Sequence, residues 1–401
     1  MIAAILIFAA TYAVIAFGRA PGLTLDRAGA ALLGAALMVA AGVLTLPEAY
    51  AAINTATIVL LLGMMILTAN LRAAGFFDLA AQWASSHVHR PPMLLVAVVA
   101  LSGVLSAFLV NDTVCVMLAP LIAEAALALK RQVEPYLIAL AMASNAGSVA
   151  TITGNPQNIV IGSVSRISYT AFSAALAPVA AIALAVVAGA VLVFYRREFT
   201  GGARLAAPPR RAEIDPPLLF NALAATAAAI VFFFLGYPPA EVAIVAGAAL
   251  LLTRRIEPQR IWREIDWSLL LMFAGLFVVV RGLEKSAVTP AAVARVAGLH
   301  LGDPAVLAGA TAVLSNIVTN LPAVLLLKPF VAGLSDPHRA WLLLAMASTF
   351  AGNLTIAGSV ANLIVVERAK RLGIEISFWR YLRLGVPVTL ITLALGTLLI
   401  R

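Results

Sequence analysis

Residues 141–161, AMASNAGSVATITGNPQNIVI, decide the fold, because they return without a gap as residues 345–365, AMASTFAGNLTIAGSVANLIV. The two copies share Ala-Met-Ala-Ser, Thr-Ile, the Gly154/Gly358 pair and the Asn158/Asn362 pair. Working outward, SAFLVNDTVCVMLAP from Ser106 aligns on SNIVTNLPAVLLLKP from Ser315, which sets Asn111 on Asn320 and Pro120 on Pro329. Farther out, the Leu triplet at Leu60 meets that at Leu269, and Arg72 falls on Arg281. The same parts follow in the same order twice, so the chain is an internal duplication.

Composition says where it resides. Of 401 residues, 63% are apolar and 11% charged, against roughly 25% charged in soluble domains. Apolar stretches of about 17 to 22 residues recur, each able to cross a hydrocarbon core of roughly 30 Å as a helix. Their continuity excludes a membrane barrel, whose strands alternate. A single cysteine, Cys115, excludes a disulfide scaffold. The net charge of +9 does not point to nucleic acid, because the basic residues lie in short connections between spans. The first span, from Ile2, lacks a basic flank and a cleavage site, so it reads as retained rather than as a leader.

Hydropathy gives about ten spans: 2–17, 28–46, 57–71, 135–152, 172–195, 218–235, 240–253, 267–280, 341–356 and 384–400. Two further apolar segments, 92–129 and 304–334, are interrupted by FLVNDTV and SNIVTNLP. Each reads as a re-entrant hairpin with its tip inside the protein, where irregular backbone is tolerated. The expected architecture is therefore an all-α polytopic membrane protein. Residues 1–200 form a first repeat with its broken helix at 135–165, and residues 201–217 form a cytoplasmic linker. Residues 218–401 form a second repeat with its broken helix at 341–370. An odd number of crossings per half inverts the second repeat, an arrangement common among secondary transporters. This topology divides the 27 Lys and Arg residues into 20 on one side, Arg27, Arg72 and Arg131 among them, and 7 on the other. The positive-inside rule makes the first side cytoplasmic and leaves both termini outside.

The polar clusters carry the chemistry. Pro156 removes an amide donor and clashes with the preceding turn, and Gly154 favours non-helical backbone, so the helix should break across Thr153–Asn158. The half before the break ends in carbonyls that can hold a cation. The half after it begins with Asn155 as N-cap and aims amides and positive dipole at an anion. Gly358, Ser359 and Asn362 repeat the break without a proline. Asn111 and Asn320 occupy the hairpin tips, and an amide offers an acceptor to a cation and a donor to an oxyanion. Ser144, Asn145 and Ser148 line the approach to the first break, as do Ser348, Asn353 and Thr355 for the second. Each could instead serve helix packing. Asp112, alone among carboxylates in a tip or break, is the candidate for ion coupling, and its other reading is a cap on the second arm of its own hairpin. One thiol at Cys115 cannot build a soft-metal site. His87, His89, His300 and His338 form no ligand cluster, and no zincin, Walker, nucleophile-elbow or Rossmann pattern stands in a suitable context, so no enzyme is expected.

With these motifs the sequence resembles the ion transporter superfamily of divalent anion/sodium symporters, ArsB arsenite permeases and NhaD-type sodium/proton antiporters, over nearly its whole length. GNPQN from Gly154 is similar to the Gly-Thr-Pro-Pro-Asn signature of the symporters, and Asn111 and Asn320 to the asparagines of their Ser-Asn-Thr tips. The resemblance implies substrate contacts at Asn111, Asn155, Asn158, Asn320, Ser359 and Asn362. It implies ion coupling at Asp112, Ser144, Asn145, Thr153, Gly154, Thr319, Asn353 and Thr355. Sodium ions would be held at Asn111, Asn145, Gly154 and Asn320, with no other cofactor. It implies elevator-like movement in a homodimer, and the bacterial cytoplasmic membrane as location. Val110 and Asp112 flank the first tip asparagine and Thr319 and Leu321 the second, so the hydroxyls that bind dicarboxylates in the symporters are largely missing. A small anion or oxyanion is the expected substrate, driven by sodium or protons, and sodium/proton antiport or metalloid efflux is the alternative.

Overall fold

The computed structural model describes residues 1–17, 25–86, 90–200, 213–253, 256–287, 299–331 and 333–400. His87, His89, Arg19 and most of the 201–217 linker lie outside them. Every regular element among the described residues is helical. The first half runs Ile2–Phe17, Arg27–Ala40, Leu46–Ala52, Thr55–Ala73, Phe76–Ser86, the hairpin arms Pro91–Phe108 and Asn111–Ala128, the broken pair Val133–Ser148 and Pro156–Ser165, and Tyr169–Phe194. The second half repeats it as Pro216–Phe234, Pro239–Leu251, Pro258–Glu264, Trp267–Ala287, the arms Pro304–Val318 and Asn320–Val331, the broken pair Pro337–Ala351 and Val360–Arg371, and Phe378–Leu399. The protein is an all-α membrane protein built from two inverted repeats. Among the described residues seven helices are long and apolar enough to cross a bilayer, and five shorter apolar helices accompany them. Outward-facing Phe220, Val231, Val313, Ile317, Leu390 and Leu398 are more than half exposed, which fits an acyl environment rather than water.

The outer helices of the two halves are interlocked. Arg27–Ala40 packs along Trp267–Ala287 of the other half, and Pro239–Leu251 packs along Thr55–Ala73. Glycine sets both contacts: a Cβ on Gly63 would lie 2.5 Å from the Ala243 carbonyl carbon, and one on Gly275 would lie 2.6 Å from that of Ala31. Neither backbone could approach so closely past a larger residue. Against this scaffold sits an inner body in which each hairpin's first arm lies on the leading half of its broken helix. Gly147 and Gly103 permit that approach in the first half, where a Cβ on Gly147 would lie 2.2 Å from the Gly103 oxygen.

Ion pairs respect the expected sidedness. Arg72–Glu264, Arg131–Glu198 at 2.6 Å and Arg380–Glu134 join residues assigned to the arginine-rich side, and Lys285–Glu48 at 2.7 Å joins two assigned to the other. Arg72–Glu264 and Lys285–Glu48 occupy equivalent places in the two repeats, each tying the end of a long helix to a short helix of the other half.

Local boundaries differ from the hydropathy reading. The span expected at 28–46 ends at Ala40, Gly42 adopts φ +68°, and Thr45 with Glu48 forms a capping box that starts a separate helix at Leu46. The helix expected to reach Ile152 stops at Ser148 and is followed by a single 3₁₀ turn, Ile152–Gly154. Hydropathy misses these points because an apolar residue reads the same whether or not its backbone is helical.

Candidate functional site

At the first break Asn155 is extended, its Oδ1 accepts from the Asn158 backbone amide at 2.9 Å, and Pro156 opens the next helix. A Cβ on Gly154 would lie 2.1 Å from the Ser148 oxygen, so only glycine lets the chain fold back on the helix it has left. Ser359 caps the second break in the same way, accepting from the Ala361 amide at 3.2 Å. Asn158 Nδ2 donates to the Ser148 and Thr151 carbonyls at 3.1 and 3.0 Å. Asn362 Nδ2 donates to the Gly352 and Thr355 carbonyls at 2.6 and 2.9 Å. These two asparagines satisfy the carbonyls that the breaks leave without helical partners.

Each break is then held by the other half. Asn145 Nδ2 donates to Asn353 Oδ1 at 2.9 Å and Asn362 Oδ1 at 3.1 Å. Its Oδ1 accepts from Asn111 Nδ2 at 3.1 Å and Ser359 Oγ at 3.0 Å. All four partners of this one amide are candidate site residues. Thr349, which aligns with Asn145, reaches back to the first break: its Oγ1 accepts from Asn155 Nδ2 at 3.2 Å and Gln157 Nε2 at 3.1 Å. Ser144 Oγ donates to the Asn111 carbonyl at 3.1 Å and so fastens the first tip. The Asn320 amide nitrogen, oriented as its neighbours require, donates to the Ser348 and Gly358 carbonyls at 3.0 and 3.2 Å.

Both tips and both breaks open on one cavity of about 70 Å³, lined among others by Asn111, Asp112, Pro156, Gln157, Thr319, Asn320, Gly358 and Ser359. That is small beside drug-sized pockets of roughly 300 Å³ or more, and suits a ligand of a few heavy atoms. Helices beginning at Asn111, Pro156, Asn320 and Val360 present their N-termini to it. Among these the Asn111 helix has no side-chain cap, so its first amides stay available. Thr319 holds φ +71° and ψ 166°, a conformation that strains any residue with a Cβ and clusters at functional sites. Asn111 Oδ1 is buried with no partner, a cost tolerated where a ligand completes the shell.

Asp112 does not cap its own helix, whose N-cap is Val110. Its half-buried carboxylate instead faces the Ala361 backbone amide at the start of the Val360 helix. It also lines a second cavity of about 290 Å³ that runs past Leu269 and Val360 to Arg72, Arg263, Glu264 and Asp266 on the arginine-rich face. The equivalent hollow in the other repeat, about 300 Å³ among Glu48, Arg281, Glu284 and Lys328, touches neither a tip asparagine nor a break.

Of the expected residues, Asn111, Asp112, Thr319, Asn320 and Ser359 line the cavity, whereas Ser144, Asn145, Gly154, Asn155, Asn158, Asn353 and Asn362 stand behind it, and Thr153 and Thr355 are engaged elsewhere. Thr153 Oγ1 pairs with the Tyr169 hydroxyl at 2.8 Å behind the first break, and Thr355 Oγ1 reaches Asn316 Oδ1 at 3.5 Å. Gln157 and Thr349 were not expected, though both stand inside the repeated strings. The most consequential residue missed is Arg27, assigned from its position to a connecting loop. The structure places it on the cavity wall with Asp112. The sequence held no signal for this, because the span expected at 28–46 is long enough to cross, and only the structure shows that Arg27–Ala40 has 14 residues, about 21 Å at roughly 1.5 Å per residue.

A family model described as "Citrate transporter" matches residues 12–351. The chain belongs to this family. Among its relatives, the "46 kDa membrane protein" of Mycobacterium leprae is 31% identical, with 98% of this chain and 96% of that protein aligned. The "Silicon efflux transporter LSI3" of Oryza sativa subsp. japonica is 29% identical over 96% of this chain and 94% of its own length. The "Putative transporter arsB" of Dictyostelium discoideum is 26% identical over 93% and 87%. The crystal structure of the Alcanivorax borkumensis YdaH transporter superposes with a TM-score of 0.60 at 15% identity, covering 99% of this chain and 95% of that one, a likeness of fold. Membership in the citrate transporter family makes the protein a multi-pass membrane transporter, and the interlocked repeats give that assignment its physical form.

Proposed function

We propose that the protein is a secondary active transporter of a small anion or oxyanion, coupled to protons or sodium, with the inner body moving against the interlocked scaffold. One observation carries this reading: four helix N-termini and Arg27 converge on a single cavity between the two tips and the two breaks. Helix N-termini favour anions by dipole and by free amides. The cavity's size favours an ion such as phosphate, sulfate or an oxyanion of arsenic over a bulky tricarboxylate.

A second reading rests on the buried, unpartnered Oδ1 of Asn111 beside Asp112. An amide oxygen and a carboxylate are both donors to a cation, so in this reading Asn111 and Asp112 would hold a coupling sodium, or exchange sodium for protons in an antiporter. The relative named as a silicon efflux transporter keeps metalloid efflux within the same reading. The expected setting is the cytoplasmic membrane, with the arginine-rich face inward and both termini outside, and a dimer formed through the scaffold.

The test is the thermal stability of purified protein with phosphate, sulfate, arsenite, and mono-, di- and tricarboxylates, with and without sodium, at two pH values. A ligand of the folded state at a hundredfold excess over its Kd adds about 2.7 kcal/mol. Anion reading and coupling ion are both supported if one anion stabilises only with sodium or only at low pH. Stabilisation by sodium alone, unchanged by every anion, moves the assignment to cation/proton exchange, and an Asp112→Asn variant that still exchanges sodium for protons would refute that exchange in turn.

A further inference from the structure

We propose that the seam between scaffold and inner body holds a second binding site, for an uncharged molecule with an apolar body and one hydroxyl or carbonyl end, whose presence pins the two bodies together. A cavity of about 310 Å³ lies there, at the end of the Thr55–Ala73 helix remote from Arg72. The scaffold supplies one wall with Thr57, Phe233 and Ala240, and the inner body supplies the other with Ile152, Ile159 and Tyr169. It is separate from the central cavity. On the Pro156–Ser165 helix, Pro156 and Gln157 line the central cavity, whereas Ile159, Gly162 and Ser163, spaced as one helix face, line this one.

The walls dictate the chemistry of the occupant. Every described residue that lines the cavity is uncharged, so a charged ligand would give up its water with no partner in return. The volume reaches the range of small-molecule pockets, roughly 300 to 1,000 Å³. One polar group is left over. Thr57 is fully buried and its Oγ1 has no hydrogen-bond partner, whereas Thr68 on the same helix donates to the Met64 carbonyl at 2.8 Å. An unmade bond at a buried hydroxyl is costly, and a hydroxyl or carbonyl on the ligand would make it.

Three contacts cross the seam beside the cavity. Asn54 Nδ2 donates to Ser163 Oγ at 2.7 Å, Thr170 Oγ1 donates to the Phe234 carbonyl at 2.9 Å, and the Tyr169 ring lies 5.2 and 5.1 Å from those of Phe233 and Phe234. All three part when the inner body slides. A molecule that needs both walls therefore binds this arrangement better than any other and shifts the population toward it. The binding is independent of what the central cavity carries, and the pinning rests on the reading that the inner body moves against the scaffold.

The test is thermal stabilisation of the purified protein at neutral pH. 2-Naphthol should stabilise it, naphthalene should do so more weakly, and the charged 2-naphthoate should not. Monoolein, a neutral glyceride, separates a bilayer lipid from a dissolved molecule, and stabilisation by either one supports the site and names its source. Ala240→Phe, which fills the cavity, should abolish both effects. Thr57→Val, which removes only the hydroxyl, should weaken 2-naphthol about two- to tenfold and leave naphthalene unchanged. No stabilisation by either compound, or stabilisation that persists in Ala240→Phe, would overturn the site. A 2-naphthoate as effective as 2-naphthol, or a Thr57→Val as responsive as wild type, would overturn the assigned chemistry. Pinning is read across the seam: in a Cys115→Ser background, Thr170→Cys and Leu235→Cys should be joined by a short bis-maleimide faster in the presence of whichever compound stabilises. An unchanged rate would overturn the pinning and leave the site standing. None of these readouts depends on the central cavity, so their failure leaves the anion reading untouched.

Discussion

The two repeats share a skeleton but divide the labour at the centre. In the first half the break carries Pro156, the tip carries Asp112, and the short helix entering the site begins with Arg27. In the second half the matching positions are Val360, Leu321 and, at the start of the equivalent helix, Pro239. The charged groups of the central cavity therefore come from one repeat, and the other supplies amides, hydroxyls and a strained turn at Thr319. The hollows beside the site differ in the same sense, for the one on the arginine-rich face reaches Asp112 and its twin stops short. Duplication gives a frame in which two breaks support each other. Divergence puts the charge on one side of the pseudo-axis, where it can distinguish substrate from water.

The largest expected effect tests the reciprocal hold. Asn145→Ala strips partners from Asn111, Ser359, Asn353 and Asn362 at once, and unsatisfied buried polar groups cost about 1–3 kcal/mol each. It should abolish transport and destabilise by several kcal/mol. Thr349→Ala, at the aligned position, frees the amides of Asn155 and Gln157, and Asn155 keeps Ser148 Oγ at 2.9 Å. Its cost should be about 1–2 kcal/mol, and equal losses in denaturation of the two variants would break the proposed asymmetry.

Next come the glycines of the breaks. A Cβ on Gly154 would lie 2.1 Å from a backbone oxygen, whereas one on Gly358 would meet its nearest neighbours at 3.0 Å. Gly154→Ala should eliminate uptake in reconstituted vesicles, and Gly358→Ala should leave a measurable fraction of it. A smaller effect tests the two hollows. In a Cys115→Ser background, Thr113→Cys should react with a membrane-impermeant thiol reagent from the arginine-rich face, and added anion should slow the reaction. Leu325→Cys, in the twin hollow, should react from the opposite face at a rate the anion does not change.

The smallest effect concerns the exposed ion pairs that tie the halves at their edges. Lys285 and Thr45 hold the Glu48 carboxyl at about 2, below its ordinary 4.5. A depressed carboxylate stabilises above its unfolded value, so this contribution is complete above about 4.5 and fades as the pH falls toward about 2. Glu48→Gln should lower Tm slightly at neutral pH, and added salt should erase the difference. Glu264→Gln, which releases Arg72 beside the vestibule to Asp112, should also change anion affinity, and Glu48→Gln should not.

Much of this was legible before any coordinates. The repeat locates both breaks and both tips because the backbone there needs Gly, Pro and Asn whatever the surroundings. Asp112 stands out because a carboxylate among apolar residues has few reasons to be there. Arg27 did not stand out, since an arginine next to a loop is what topology alone would place there. Its depth follows from a helix too short to span and from the crossed packing of Arg27–Ala40 on Trp267–Ala287. No local pattern encodes a contact between residues more than two hundred positions apart. The partners of Asn145 escaped for the same reason, because three of the four come from the opposite repeat.

The account's central claim is that the tips and breaks of both repeats form one anion site. The most direct test is anion-induced thermal stabilisation of wild type, Asn111→Ala and Ser359→Ala, using whichever anion in the panel stabilises the wild type most. One shared site predicts that each single substitution, in either half, removes most of the stabilisation. Stabilisation that survives both substitutions at wild-type strength would contradict it.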